Sequence, residues 1–105
     1  MRNYELVFIA SPDLDDEGVE TTINKYTDVI DNQGGELVKI DKMGKRRLAY
    51  EIKDFKEGFY VVVYLKGGSD VINELDRVLK IDDNIIRHII IRHDEKHQKT
   101  NKESA

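Results

Sequence analysis

The chain has 105 residues, 36% of them charged and 39% hydrophobic, with a formal net charge of −4 and no cysteine. That suits one domain with a modest core, and no apolar run approaches the ~20 residues that a membrane span needs. The N-terminus turns acidic too soon for a signal peptide; without cysteine, disulfides, thiolate chemistry and cysteine metal sites are excluded, and a cytosolic location is the default expectation.

Arg2–Ala10 alternates, with Tyr4, Leu6, Phe8 and Ala10 on one face and Asn3, Glu5, Val7 and Ile9 on the other. This predicts a strand with the even positions inward. Ser11-Pro12-Asp13 ends it. Asp15, Asp16 and Glu17 suit a helix N-terminus, and Val19, Ile23, Tyr26 and Ile30 recur as one helical stripe. Gly34-Gly35 closes that helix. Glu36–Ile40 predicts the second strand, Asp41–Gly44 a turn or kink, and Arg46–Lys53 a further alternating stretch with Leu48, Tyr50 and Ile52 on one side. Asp54–Gly58 predicts a turn and Phe59–Lys66 the third strand. After Gly67-Gly68, Ser69 reads as an N-cap to a second amphipathic helix carrying Val71, Ile72, Leu75, Val78 and Leu79. Ile85–Arg92 predicts the last strand, with Ile86 and Ile90 inward. Residues 93–105, HDEKHQKTNKESA, lack apolar side chains and predict a disordered polar tail, leaving 1–92 as the folded domain.

Strand, helix, strand, strand, helix, strand is the order of an α+β, ferredoxin-like βαββαβ sandwich: a four-stranded antiparallel sheet with both helices on one face. The first and third strands are expected in the centre. The other face is then open, and there the central strands present Val7, Ile9, Tyr60, Val62 and Tyr64, apolar where water-facing strands usually alternate. Such a patch marks a partner site; β propensity alone is the plainer explanation. The expected core comprises Leu6, Phe8, Ile23, Ile30, Leu48, Val61, Val63, Leu75 and Leu79.

No catalytic constellation stands out. Neither glycine pair has phosphate-loop spacing. His93 and His97 lie four apart in the tail without a third ligand, and His88 reads as a packed strand histidine. No metal and no cofactor are expected. The charge distribution is more telling. Residues 1–35 hold two basic and eight acidic side chains, residues 36–66 eight and five, and residues 67–105 seven and eight. Positive charge thus gathers in the middle third, and a local field can attract a polyanion despite the net sign, because distant charges are screened beyond ~8–10 Å. Within residues 42–56, Lys42, Lys45, Arg46, Arg47, Lys53 and Lys56 surround Tyr50. Cations neutralise phosphates, and an aromatic ring offers a stacking surface for an unpaired base. In a strand, Arg46 and Arg47 point to opposite sides and would straddle a rim. The plainer alternative is an edge strand kept from sticking to other edges by its charges. Glu57–Tyr64 also echoes, imperfectly, the third-strand signature of RNA-recognition motifs, with Glu57, Tyr60 and Val61 as departures.

With Arg2-Asn3-Tyr4-Glu5, Pro12-Asp13-Leu14, Gly44-Lys45-Arg46-Arg47-Leu48-Ala49-Tyr50-Glu51-Ile52 and Lys56-Glu57-Gly58-Phe59-Tyr60 in hand, the chain resembles the bacterial small-subunit ribosomal protein S6 family from Met1 to about Arg92. Two departures are visible: many members have an aromatic where Met43 stands and a proline where Glu51 stands. The resemblance implies the same fold, no enzymatic activity, and binding to the central domain of small-subunit (16S) ribosomal RNA jointly with ribosomal protein S18. It implies a cytoplasmic, ribosomal location; no membrane and no DNA partner is expected. The RNA-binding candidates are Arg2, Lys45, Arg46, Arg47, Lys53, Lys56, Arg87 and Arg92, and the protein-interface candidates are Tyr50, Tyr60, Val62 and Tyr64. The acidic first helix is expected to face away from RNA. The alternative is a small-molecule-sensing regulatory module of the same fold. A small hydrolase on this fold would need an arginine cradled after the first strand, where Ala10-Ser11-Pro12-Asp13 offers acid instead.

Overall fold

The computed structural model describes residues 2–93. In chain order its elements are β1 (Arg2–Ala10), α1 (Asp16–Asn32), β2 (Glu36–Ile52), β3 (Phe55–Gly67), α2 (Ser69–Ile81) and β4 (Ile85–His93). The strands form one antiparallel sheet in the order β2-β3-β1-β4, so the two most apolar strands lie in the centre. Both helices pack on one face, as the ferredoxin-like order requires.

Alternation explains the main core. Leu6, Phe8 and Ala10 of β1 meet Val61, Val63 and Leu65 of β3, under Val19, Ile23, Tyr26 and Ile30 of α1 and Val71, Leu75 and Leu79 of α2. Phe8 and Tyr26 pack edge to face with ring centroids 5.5 Å apart. Asp15 caps α1 by accepting the Gly18 amide at 2.7 Å, and Asp16 and Glu17 add charge favourable to that end. At the other end Gly34, with φ +82°, lets the Gly35 amide reach back to the Ile30 carbonyl at 2.8 Å. α2 differs from expectation at its start: Gly68 is the cap and makes no side-chain hydrogen bond, while Ser69 is already helical.

The buried Tyr26 hydroxyl donates to Asp82 in the α2–β4 loop. Asp82 also accepts from Lys25 at 3.2 Å and from the Asn84 amide at 2.9 Å. Burial acts to raise the Asp82 carboxyl, but these hydrogen bonds outweigh it and hold the group below its usual range. His88 ties β4 to α2 through Asp76 at 2.9 Å, and hydrogen bonds from His88 and then Lys80 hold the Asp76 carboxyl low as well.

Four readings are corrected. Asp41–Gly44 is not a turn: β2 runs unbroken for 17 residues, and register shifts between Leu37/Lys39 and between Lys42/Gly44 absorb the irregularity. Gly44 takes φ +82° at the second of these. Nor is Asp54–Gly58 the turn. Lys53 and Asp54, at φ 53° and 68°, make a two-residue hairpin connection between the paired Ile52 and Phe55. In β4, Ile90 does pack on the main core, but a register shift opposite Ile9/Ala10 sends Ile85 into that core and Ile86 to the other side. His93 belongs to β4 and not to a tail; residues 94–105, His97 among them, lie outside the described residues.

A fifth correction concerns the face without helices. Ile9, Leu48 and Ile86 are 7%, 6% and 4% exposed and form a second apolar cluster, flanked by Ile52, Phe55 and Tyr60. One half of the expected open face is therefore covered by the chain's own β2–β3 hairpin. Gly58 makes this possible. A Cβ there would lie 2.4 Å from Cγ2 of Ile9 and 2.9 Å from the Ala10 carbonyl oxygen.

Two outcomes are expected. Gly58→Ala forces backbone and Ile9 apart and lowers unfolding free energy by about 2 kcal/mol in urea titration. Asp82 has a depressed folded pKa, so its contribution is present above the unfolded carboxylate value near 4 and is lost as pH falls through the folded value. Asp82→Ala, which strands the Tyr26 hydroxyl, costs about 2 kcal/mol at pH 7. Between pH 4 and 2 the variant loses less further stability than the parent, read by thermal melts across that range.

Candidate nucleic-acid interface

The basic segment lies where β2 and β3 run out toward their hairpin. Lys45 pairs with Phe59, Arg46 with Gly58 and Arg47 with Glu57, so successive side chains alternate across the ribbon. The Lys45 ammonium sits 5.3 Å from the centroid of the Phe59 ring, and Nε of Arg46 donates to the Met43 carbonyl at 3.2 Å. Lys53 stands at the tip and Lys56 just beyond it on β3. Between Arg47 and Ile52 the ladder lapses: Leu48, Ala49, Tyr50 and Glu51 stand opposite Lys56 alone. There the hairpin is fixed chiefly by Leu48, held in the second cluster. From β4, Nη1 of Arg87 lies 3.5 Å from the Tyr50 hydroxyl.

All eight predicted RNA contacts are exposed. Among the described residues none of the eight forms an ion pair with a carboxylate; the ion pairs involve Lys25, Lys39, Lys42, Arg77, Lys80 and two histidines. Lys42 is engaged by Glu20 of α1, so the acidic helix is not wholly turned from the basic strand and takes up the cation on its own side of the sheet. Lys45, Arg46, Arg47, Lys53, Lys56 and Arg87 share the hairpin end. Arg2 and Arg92 do not join them. They pair with Gly67 and Tyr4 at the opposite end of the sheet, roughly 25 Å away at ~3.3 Å per residue.

The protein-interface candidates divide as well. Tyr50 is 67% exposed beside the rim. Tyr60 packs against the second cluster and is half-buried, as are Val62 and Tyr64. Ile9 leaves the patch because it is buried. The bare half keeps Val7, Val62 and Tyr64, joined by Ile89 of β4, 50% exposed. Ile89 was absent from the expected patch because that patch was drawn from the central strands alone; it pairs with Val7 and shares its face. Leu37, Val38 and Met43, at 42%, 55% and 44% exposure, were also missed; all three lie on edge strand β2, two of them at its register shifts. Among the described residues no cluster of side chains suited to a metal ion occurs.

Comparison with known proteins agrees with this geometry. The family model for ribosomal protein S6 matches residues 3–92. The small ribosomal subunit protein bS6 of Moorella thermoacetica is 47% identical over 90% of this chain and 97% of its own length. That of Heliobacterium modesticaldum is 50% identical over 90% and 99%. The crystal structure of 30S ribosomal protein S6 from Thermotoga maritima superposes with a TM-score of 0.86 at 31% identity, covering 99% of this chain and 98% of that one.

The turn generates a prediction of its own. Lys53 and Asp54 occupy left-handed backbone that asparagine and glycine favour. Lys53→Asn with Asp54→Gly leaves the tip's net charge unchanged and raises stability by about 1 kcal/mol in urea unfolding.

Proposed function

The chain belongs to the ribosomal protein S6 family, a structural component of the small ribosomal subunit not known to be enzymatic, and from that premise we propose that it binds the central domain of 16S ribosomal RNA jointly with ribosomal protein S18. One observation carries the reading. Lys45, Arg46, Arg47, Lys53 and Lys56 are exposed on a hairpin pinned by an apolar cluster, without carboxylate partners among the described residues. Each exposed cation that meets a phosphate displaces a condensed counterion, and arginine adds a paired hydrogen bond. A handful of such contacts on a protein of net charge −4 makes a weak, salt-sensitive anchor. A second source of affinity is therefore required, and the bare half of the sheet supplies it: Val7, Val62, Tyr64 and Ile89 form the apolar surface on which S18 docks, with Tyr50 at its margin.

RNA and partner thus approach the same sheet from adjoining directions. Arg2 and Arg92, at the far end, can touch RNA only if it extends the length of the strands. They serve as secondary contacts.

The test is a binding titration of 16S central-domain RNA, with and without S18, across a salt series. Arg46→Ala with Arg47→Ala weakens the complex and lowers the slope of log affinity against log salt by about one to two units. An unchanged affinity and slope would remove the rim from the interface.

A further inference from the structure

Where the β2–β3 ladder lapses, the hairpin carries a shallow, solvent-open cup of about 290 Å³ lined by Arg47, Leu48, Ala49, Tyr50, Glu51 and Lys56. This is near the lower end of the roughly 300–1,000 Å³ of small-ligand sites, so it suits one small group and not a helix or a strand. Leu48 is drawn away into the cluster with Ile9 and Ile86, which holds the cup's floor. The remaining lining is chemically mixed. Arg47 and Lys56 are donors fitted to a phosphate. The exposed Tyr50 ring is a stacking surface. Glu51, when ionised, only accepts.

Glu51 is the informative member. A carboxylate placed among phosphate-binding cations weakens them unless it has a donor of its own to meet. Among the described residues Glu51, Arg47 and Lys56 take part in no ion pair, so the carboxylate is not spent on its neighbours. The Watson–Crick edges of the four RNA bases differ in what they offer a carboxylate. Guanine presents two adjacent donors, N1–H and the 2-amino group. Cytosine and adenine present one amino group beside an acceptor, and uracil one N–H between two carbonyls. Only guanine satisfies both oxygens of one carboxylate. Such an edge is free only in an unpaired nucleotide, the form in which RNA is usually read by sequence.

We propose that this cup receives one unpaired guanine nucleotide of RNA, its phosphate on Arg47 and Lys56, its ring against Tyr50 and its Watson–Crick edge on Glu51. The inference rests on the RNA-binding reading and adds to it a base preference located at one residue.

The experiment titrates the full-length, isotope-labelled chain at low salt with the RNA pentanucleotides UUGUU, UUAUU, UUCUU and UUUUU, following backbone amides by NMR. Shifts are expected at residues 47–51 and 56, with UUGUU binding about tenfold more tightly than the other three. Inosine in the central position, which lacks the 2-amino group, loses part of that advantage. Glu51→Gln brings the four affinities together, with UUUUU binding somewhat more tightly than before because the carboxylate no longer opposes Arg47 and Lys56. Equal affinities for the parent protein, a guanine preference that survives Glu51→Gln, or shifts confined to other residues would each overturn the cup. The 16S titration keeps the two readings separate. A salt slope still sensitive to Arg46→Ala with Arg47→Ala, alongside equal pentanucleotide affinities, leaves the RNA reading intact and removes only the guanine site.

Discussion

The contact of Leu48 with Ile9 and Ile86 is the constraint on which the arrangement turns. A four-stranded sheet with both helices on one face leaves its other face to water, and the central strands here are apolar on both sides. The chain resolves half of that conflict internally. It bends the β2–β3 hairpin so that Leu48 closes over Ile9 and Ile86, and it thins the sheet at Gly58, where any side chain would collide with Ile9 and the Ala10 carbonyl. Burial of this order, roughly 25 cal/mol per Å² of apolar surface, is what holds the hairpin where backbone pairing with β3 has lapsed.

That clasp has an electrostatic result. Cations on a loose ribbon lose conformational entropy when they engage a partner. On this hairpin the packing of Leu48 against Ile9 and Ile86 limits that freedom before binding. The rim keeps a positive field because Lys45, Arg46, Arg47, Lys53 and Lys56 outnumber Glu51, Asp54 and Glu57 beside them, while other carboxylates are engaged elsewhere: Glu20 on Lys42, Asp41 on Lys39, Asp76 on Lys80 and His88, Asp82 on Tyr26 and Lys25. The same clasp leaves Val7, Val62, Tyr64 and Ile89 uncovered, so charged and apolar surfaces adjoin without overlapping.

Much of this was readable from residue order. Period-two alternation placed β1 and β3 and their inward faces, and the stripe from Val19 to Ile30 placed α1. The run Gly44–Ile52 marked both the basic rim and the family. What escaped has a common physical origin. A β-bulge adds one residue and reverses the parity of everything beyond it, which no local pattern announces. Ile85 and Ile86 therefore both look inward-facing, and both are buried, yet in different cores. The turn at Lys53–Asp54 lacks the glycine or asparagine that signals such a conformation, so the polar stretch after it read as the loop. The separation of Arg2 and Arg92 from the rim is a matter of strand register, a tertiary property that neighbouring residues do not encode.

Strand β2 also has an outer side, 17 residues long, to which no other strand is hydrogen-bonded among the described residues. Its ladder to β3 is interrupted three times, and the longest straight runs between interruptions are Lys39–Lys42 and Gly44–Arg47. A straight strand laid alongside would lose step at each break, which disfavours pairing along the full length. Breaks of this kind work against the edge-to-edge growth of copies into ribbons.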